Sequence, residues 1–138
     1  MKNYQLIITW AARIIAAVIL LQTLFFKFTG AEESKYIFSR LGAEPWGRIG
    51  SGVVELIASV LILIPATTWI GALLGLGTMA GAIFAHLFIL GISVRNSDGS
   101  YDKGQLFIYA VIVFIACCYL LWTNRKSVPL LKNVLVKS

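Results

Sequence analysis

Residues 56–94 read LIASVLILIPATTWIGALLGLGTMAGAIFAHLFILGISV, a run of 39 positions without Asp, Glu, Lys or Arg. A helix that rises ~1.5 Å per residue crosses ~30 Å of hydrocarbon in about 20 residues, so this run is long enough for two crossings. Pro65 interrupts the run, because proline lacks an amide donor and disfavours helix at the residue before it. The stretch therefore predicts a tight hairpin of two membrane-spanning helices, at about residues 47–64 and 69–92.

Two further apolar segments flank this hairpin, at about residues 6–28 and 105–123. Strands of a membrane barrel are about half as long as these segments, so each segment is predicted to be a helix. The longer connections differ in character, since residues 29–46 are polar and charged whereas residues 93–104 are rich in turn-forming residues. We predict an all-α fold, a four-transmembrane-helix bundle that forms one integral membrane domain over residues 1–138.

The composition agrees with a protein whose solvent is a lipid bilayer. Apolar residues make up 59% of the 138 positions and charged residues 13%, whereas about 25% of residues are charged in soluble domains. A domain of this size cannot cover so much apolar surface with so few charges, which argues against a soluble enzyme. The net charge of +6 is spread over single residues between apolar runs, so anionic lipid headgroups are favoured as partners over nucleic acid.

Metal and redox sites are not indicated by the sequence. The adjacent Cys117 and Cys118 suggest neither a disulfide framework nor a zinc site, and packing is the favoured interpretation. No cluster of metal ligands, nucleotide-binding loop or catalytic triad is found, so neither a metal nor a covalently bound cofactor is predicted. The first apolar segment is too long for a cleaved signal peptide and contains Arg13, so it is predicted to be retained.

Four crossings would place both termini on one side of the membrane. Lys and Arg number five on that side and six in the long connections, so the positive-inside rule does not decide the orientation. Five of the six acidic residues fall in the long connections and the tail after Trp122 is basic, which favours cytoplasmic termini of a multi-pass protein in the inner (plasma) membrane. Tryptophans lie near the predicted helix ends, as in an interfacial aromatic belt: Trp10, Trp46, Trp69 and Trp122.

The third predicted span carries small residues at helical spacing. Gly71, Gly75, Gly77 and Gly81 form two small-xxx-small pairs. Such pairs let helix backbones approach closely in lipid, where packing replaces the hydrophobic drive. We expect these glycines to pack within the bundle, and a seam between two copies of the chain is the alternative.

Few polar or ionisable side chains stand within the predicted spans, and each is costly there unless it is paired or hydrated. Counted from the helix ends, Gln22, Glu55 and His86 lie ~9 to 12 Å below the surface that bears the long connections. Lys27 and Tyr109 lie at or just above this level. Every helix therefore contributes a polar group to one half of the membrane.

This level predicts a small polar pocket that hydrogen-bonds a carbonyl or quinol oxygen. A nearby Lys27 or a protonated His86 would favour the carboxylate form of Glu55, and a pair of Glu55 and His86 would hold or relay a proton. The alternative is a buried polar clamp that only fixes helix register. Arg13 lies in the opposite half, where it either snorkels to the headgroups, caps carbonyl groups or meets a ligand headgroup.

Four stretches resemble the DoxX-like family of small four-helix integral membrane proteins, and the resemblance spans about residues 10–122. They are Ala12-Arg13, Phe25-Phe26-Lys27-Phe28, Gly52-Val53-Val54-Glu55-Leu56 and Met79-Ala80-Gly81-Ala82-Ile83-Phe84-Ala85-His86. The resemblance implies that the family's characteristic polar set is Arg13, Lys27, Glu55 and His86.

Some members of that family are associated with terminal quinol oxidase or thiosulfate:quinone oxidoreductase complexes, and others with responses to oxidative stress. The resemblance implies an accessory subunit that binds a quinone or another lipophilic molecule, while redox partner proteins supply the chemistry. Such a subunit is not a complete enzyme on its own. Two alternatives stay open: a non-catalytic chaperone or scaffold for another membrane protein, as in distant animal relatives, and a small transporter.

Overall fold

A computed structural model describes residues 2–96 and 98–129 of the chain. These residues form five α-helices: α1 Asn3–Thr29, α2 Glu32–Arg40, α3 Trp46–Leu63, α4 Thr68–Ala85 and α5 Gln105–Thr123. A π-helical segment, His86–Leu90, continues α4, and short 3-10 turns cover Pro65–Thr67 and Arg125–Ser127. No β-strand occurs within the described residues, so the all-α prediction is confirmed.

The described part of the chain contains four helical segments that are long and apolar enough to cross a membrane: Asn3–Thr29, Trp46–Leu63, Pro65–Leu90 and Gln105–Thr123. Only 22% to 33% of the residues in their apolar windows are buried inside the protein. The other apolar side chains face outward, and a surface of this kind requires a hydrocarbon solvent. The prediction of a four-transmembrane-helix bundle in contact with a lipid bilayer is therefore confirmed.

The four spans pack as a ring in which α1 contacts α3, α3 contacts α4, α4 contacts α5, and α5 contacts α1. Glycines permit two of these seams, because a Cβ on Gly71 would stand 2.6 Å from the carbonyl oxygen of Ala58, and one on Gly75 would stand 2.9 Å from Sγ of Cys117. Both cysteines are free thiols, and Cys117 packs in the core while Cys118 is exposed. The largest fully buried aliphatic side chains of this core are Leu20, Ile62, Val113 and Leu120.

The other two glycines of the small-residue pattern do not pack inside the bundle. Within the described part of the chain, a Cβ on Gly77 or on Gly81 would meet no atom within 4 Å, and both residues are exposed. The predicted packing role therefore holds for Gly71 and Gly75 and is wrong for Gly77 and Gly81. Helical spacing alone does not distinguish these pairs, because the spacing shows which residues share a face but not which neighbour that face meets.

The connection between the first two spans contains a helix that the sequence analysis missed. Gly30, with φ +69, ends α1, and α2 begins two residues later with Glu32 and Glu33 in its first turn and Arg40 in its last. These charges suit the helix dipole at each end. Helix α2 packs against α1, α3 and the π-helical segment, so it lies across one end of the bundle.

The two ends of the bundle therefore differ. One end, called the α2 side below, bears α2 and the connection of residues 91–104; the opposite end, called the hairpin side, bears the turn at residues 64–67, the start of α1 and the end of α5. Asp102 orders the connection of residues 91–104, because its Oδ1 accepts hydrogen bonds from the amides of Val94 at 2.8 Å and Gly104 at 2.9 Å.

Candidate functional site

A cavity of about 560 Å³ lies on the α2 side of the bundle. Helices α1, α3, α4 and α5 form its walls, and α2 contributes Ser34, Ile37 and Phe38 from above. The surface of the cavity is predominantly apolar, as in most sites for small organic molecules. Five residues that the sequence analysis placed at one level all line it: Gln22, Lys27, Glu55, His86 and Tyr109.

Lys27 and Glu55 form an ion pair at one wall of the cavity. Nζ of Lys27 lies 2.5 Å from Oε1 of Glu55, and the two side chains are 16% and 4% exposed. The other carboxylate oxygen, Oε2, accepts a hydrogen bond from Oγ1 of Thr23 at 3.2 Å. Both oxygens of a buried carboxylate are thus satisfied, which a charge at this depth requires. Thr23 and Lys27 are one helical turn apart on α1, so both face the same point on α3.

A second charged group holds the end of α1 in place. Arg48, which is buried at the start of α3, donates through Nη1 to the carbonyl oxygen of Lys27. Its Nε lies 2.9 Å from Oε1 of Glu44, and its Nη2 lies 2.9 Å from the same oxygen. Because carbonyls at a helix C-terminus lack partners inside the helix, this contact fixes the backbone that carries the Lys27 side chain. This role of Arg48 was not predicted from the sequence, where the residue was one of the six basic residues assigned to the long connections.

His86 presents a free ring nitrogen to the cavity. Its Nδ1 lies 3.0 Å from the carbonyl oxygen of Gly91. A carbonyl oxygen only accepts hydrogen bonds, so Nδ1 carries the proton and Nε2 of the neutral ring is an acceptor. Within residues 2–96 and 98–129, Nε2 has no hydrogen-bond partner, although the side chain is only 5% exposed.

The backbone around His86 departs from a regular α-helix. His86 is the first residue of the π-helical segment, and Gly91, with φ +82, ends that segment. The ring is also held by an edge-on contact with Phe107, with 5.8 Å between ring centroids.

Two neighbours of Glu55 were predicted: Lys27 is confirmed as its partner, and the direct pair with His86 is wrong. In the described residues Glu55 bonds to Lys27 and Thr23, and His86 bonds to Gly91. The two groups share the cavity without a hydrogen bond or ion pair between them. Depth along the bilayer normal follows from counting residues, but the direction in which each side chain points does not.

Gln22 and Tyr109 also contribute polar groups to the lining. The hydroxyl of Tyr109 accepts a hydrogen bond from Nε2 of Gln105 at 2.9 Å. Gln22 and Gln105 are exposed, as is Phe26, and all three belong to the lining. The cavity therefore reaches the surface of the spanning helices.

Arg13 is not part of this cavity. It lies ten residues before Thr23 on α1, a separation of about 15 Å along the helix axis toward the hairpin side. Its side chain is 7% exposed, and Cζ lies 4.6 Å from the centroid of the Trp10 ring. The structure thus brings five of the six predicted site residues together and places the sixth near the other end of the bundle.

A protein-family model described as DoxX matches residues 8–92 of the chain. The match extends from α1 through the π-helical segment and includes Arg13, Lys27, Glu55 and His86. It covers more than half of the 138 residues. No curated protein and no solved structure shows significant similarity to the chain.

Proposed function

Because the chain belongs to the DoxX family, we propose that it binds a quinone or a similar lipophilic molecule as an accessory subunit of a membrane redox complex. In this proposal the chain supplies the binding site, and redox partner proteins supply the electron transfer. The proposal places the protein in the inner (plasma) membrane with its termini in the cytoplasm.

The observation that carries the proposal is the partnerless Nε2 of His86 in a largely apolar cavity. A neutral Nε2 accepts a hydrogen bond from a quinol hydroxyl, whereas a protonated ring donates to a quinone carbonyl oxygen. One group therefore suits both redox forms of the same ligand. An apolar wall with a few placed polar groups matches a flat ring that carries oxygens at its edge.

The ion pair of Lys27 and Glu55 supplies a second polar contact at the cavity wall. An ammonium group has three donors, and Glu55 takes one of those of Lys27. The Lys27 side chain is 16% exposed and belongs to the lining, so a further donor is available to a ligand oxygen. A ring with two opposed oxygens suits a site with His86 on α4 and Lys27 on α1.

The experiment compares His86→Asn with the unaltered chain in lipid nanodiscs, using a short-chain benzoquinone and its quinol as ligands. Asparagine retains a donor near the Nδ1 position for the Gly91 carbonyl and removes Nε2 from the cavity. We expect binding to weaken about tenfold, because one hydrogen bond contributes roughly 1 to 1.5 kcal/mol. Titration calorimetry measures the affinity, and circular dichroism checks that the fold is retained.

Phe88→Leu is the matched control, because Phe88 lies in the same π-helical segment but is 70% exposed and outside the cavity lining. Its affinity for both ligands is expected to equal that of the unaltered chain. Equal affinity in His86→Asn, or an equal loss in Phe88→Leu, would reject the proposed site.

A scaffold function is the second candidate, and the exposed face of Gly77 and Gly81 favours it. A Cβ at either position meets no atom within 4 Å, so another transmembrane helix has room to approach closely. Gly81 also lines the cavity, so the test replaces Gly77 alone. Gly77→Leu would then remove a partner that co-purifies from native membranes, while Ile115→Leu, at a position that is 61% exposed, would not. Retention of every partner by Gly77→Leu would contradict this candidate.

A further inference from the structure

Arg13 is a buried cation without a partner among the described residues. Its side chain is 7% exposed, and its Nε is buried without a hydrogen bond. The Trp10 ring lies against the guanidinium at 4.6 Å, but an aromatic face offers no hydrogen-bond acceptor of the strength of a carboxylate. Buried guanidinium groups in proteins are normally paired, so the arrangement calls for an acceptor from outside the bundle.

The chain has no acidic side chain to offer at this end of the bundle. The sequence contains six Asp and Glu residues: Glu32, Glu33, Glu44, Glu55, Asp98 and Asp102. All lie in α2, in the connections of the α2 side, or, in the case of Glu55, in the pair with Lys27. Arg13 lies fourteen residues before Lys27 on α1, about 21 Å along the helix axis, which is beyond the reach of its side chain.

The position of Arg13 directs its head group toward the hairpin-side surface. Long side chains on a helix point back toward its N-terminus, which for α1 lies on the hairpin side. Arg13 lies seven residues into the apolar segment that begins at Leu6, so its Cα is about 10 Å below the start of that segment. The long side chain extends toward the surface and brings the guanidinium across much of this distance. Thr9 lies one turn nearer the surface on α1, and its Oγ1 is 3.3 Å from the hydroxyl of Tyr119 on α5. The guanidinium of Arg13 therefore lies beside the seam between α1 and α5.

We propose that Arg13 binds the phosphate group of an anionic phospholipid in the leaflet at the hairpin side. A planar guanidinium matches phosphate oxygens with two parallel hydrogen bonds, and a lipid phosphate lies at the depth that a snorkelling arginine reaches. The same end of the bundle carries Lys2, Arg125 and Lys126, which attract anions without competition from a carboxylate. A free phosphate ion shares this chemistry, and the experiment separates the two sources.

The experiment uses the full chain, delipidated in neutral detergent and then given phosphatidylglycerol or phosphatidylcholine. Native mass spectrometry counts the bound lipids. We expect the unaltered chain to prefer phosphatidylglycerol about tenfold, because the choline group of phosphatidylcholine neutralises its phosphate and competes with Arg13 for it, and we expect Arg13→Gln to bind both lipids equally. Lys126→Gln is the matched control, because it removes the same charge from an exposed position at the same end.

Retention of the preference in Arg13→Gln, or its equal loss in Lys126→Gln, would overturn the proposal in favour of diffuse surface charge. Displacement of the lipid by millimolar inorganic phosphate would overturn the lipid as the source and leave phosphate itself. A measurement on the unaltered chain applies even if Arg13→Gln fails to fold. Phosphatidylglycerol in a nanodisc should raise the melting temperature relative to phosphatidylcholine, and identical melting temperatures would reject the site.

Discussion

Replacing Lys27 by methionine, Glu55 by glutamine, and both residues together tests the energetic role of the buried ion pair. The pair is separated by 2.5 Å, and two unit charges at that distance attract by about 7 kcal/mol at an effective dielectric constant of about 20. Desolvation of the two groups offsets much of this attraction. Removing one partner leaves the other buried and unpaired, which costs about 3 to 5 kcal/mol, whereas removing both costs much less.

The two single changes should differ in a direction that the exposures set. Glu55 is 4% exposed and Lys27 is 16% exposed. An unpaired Lys27 moves its head group toward water at the α2 side, whereas an unpaired Glu55 has no such route. We therefore expect Lys27→Met to destabilise the protein more than Glu55→Gln does.

The assay follows alkylation of Cys117, which is fully buried, in a Cys118→Ser background during titration with a denaturing detergent. Opening of the core exposes Cys117, so its labelling reports the free energy of unfolding. The two single losses should sum to at least about 2 kcal/mol more than the loss in the double variant. Additive losses, to within about 0.5 kcal/mol, would refute the reasoning that these groups stabilise each other.

Two further predictions concern the packing seams between the spans and the connection of residues 91–104. Gly71→Ala should destabilise the bundle by about 1 to 3 kcal/mol, because its Cβ would stand 2.6 Å from the Ala58 carbonyl oxygen. Gly77→Ala should stabilise the bundle by up to about 1 kcal/mol, because its Cβ would stand in open space. Equal effects of the two variants in the detergent titration would contradict this prediction. Hydrogen bonds from the Ser100 side chain and amide lower the pKa of Asp98 below 3.8. The stabilisation that these hydrogen bonds provide should be complete above pH 3.8 and should be lost as the pH falls through the lowered pKa of Asp98. An NMR titration of the Ser100 amide with its midpoint at or above pH 3.8 would exclude this stabilisation.

The spans were predictable because bilayer thickness and hydropathy fix them almost without reference to tertiary contacts. Helix α2 was not, since it has only nine residues and a polar composition that resembles a loop. Its apolar side chains Ile37 and Phe38 stabilise the helix only where they pack against the end of the bundle, which a hydropathy profile does not show. A short amphipathic helix that covers an end of a bundle gives little signal in a hydropathy profile.

The candidate site was predictable in composition but not in connectivity. Counting residues placed Glu55 and His86 at one depth, and both line the cavity. Lys27 was named from the sequence as one of two possible neighbours of Glu55, and it is the actual partner. Thr23 was missed, although it lies four residues before Lys27 on the same face of α1. The partner of His86 had no such signal, since its contact with Gly91 depends on a π-helical turn that residue types do not specify.

The cavity follows from the difference between the two ends of the bundle. A three-residue turn at Pro65–Thr67 and the close seam at Gly71 hold α3 against α4 on the hairpin side. On the α2 side the spans are joined by long connections, and α2 lies across the end of the bundle against α1 and α3. Long connections do not hold the spans together as the short hairpin turn does, and the cavity lies at this end. The polar residues that line the cavity have access there to solvent and, in the case of Lys27, to a carboxylate partner.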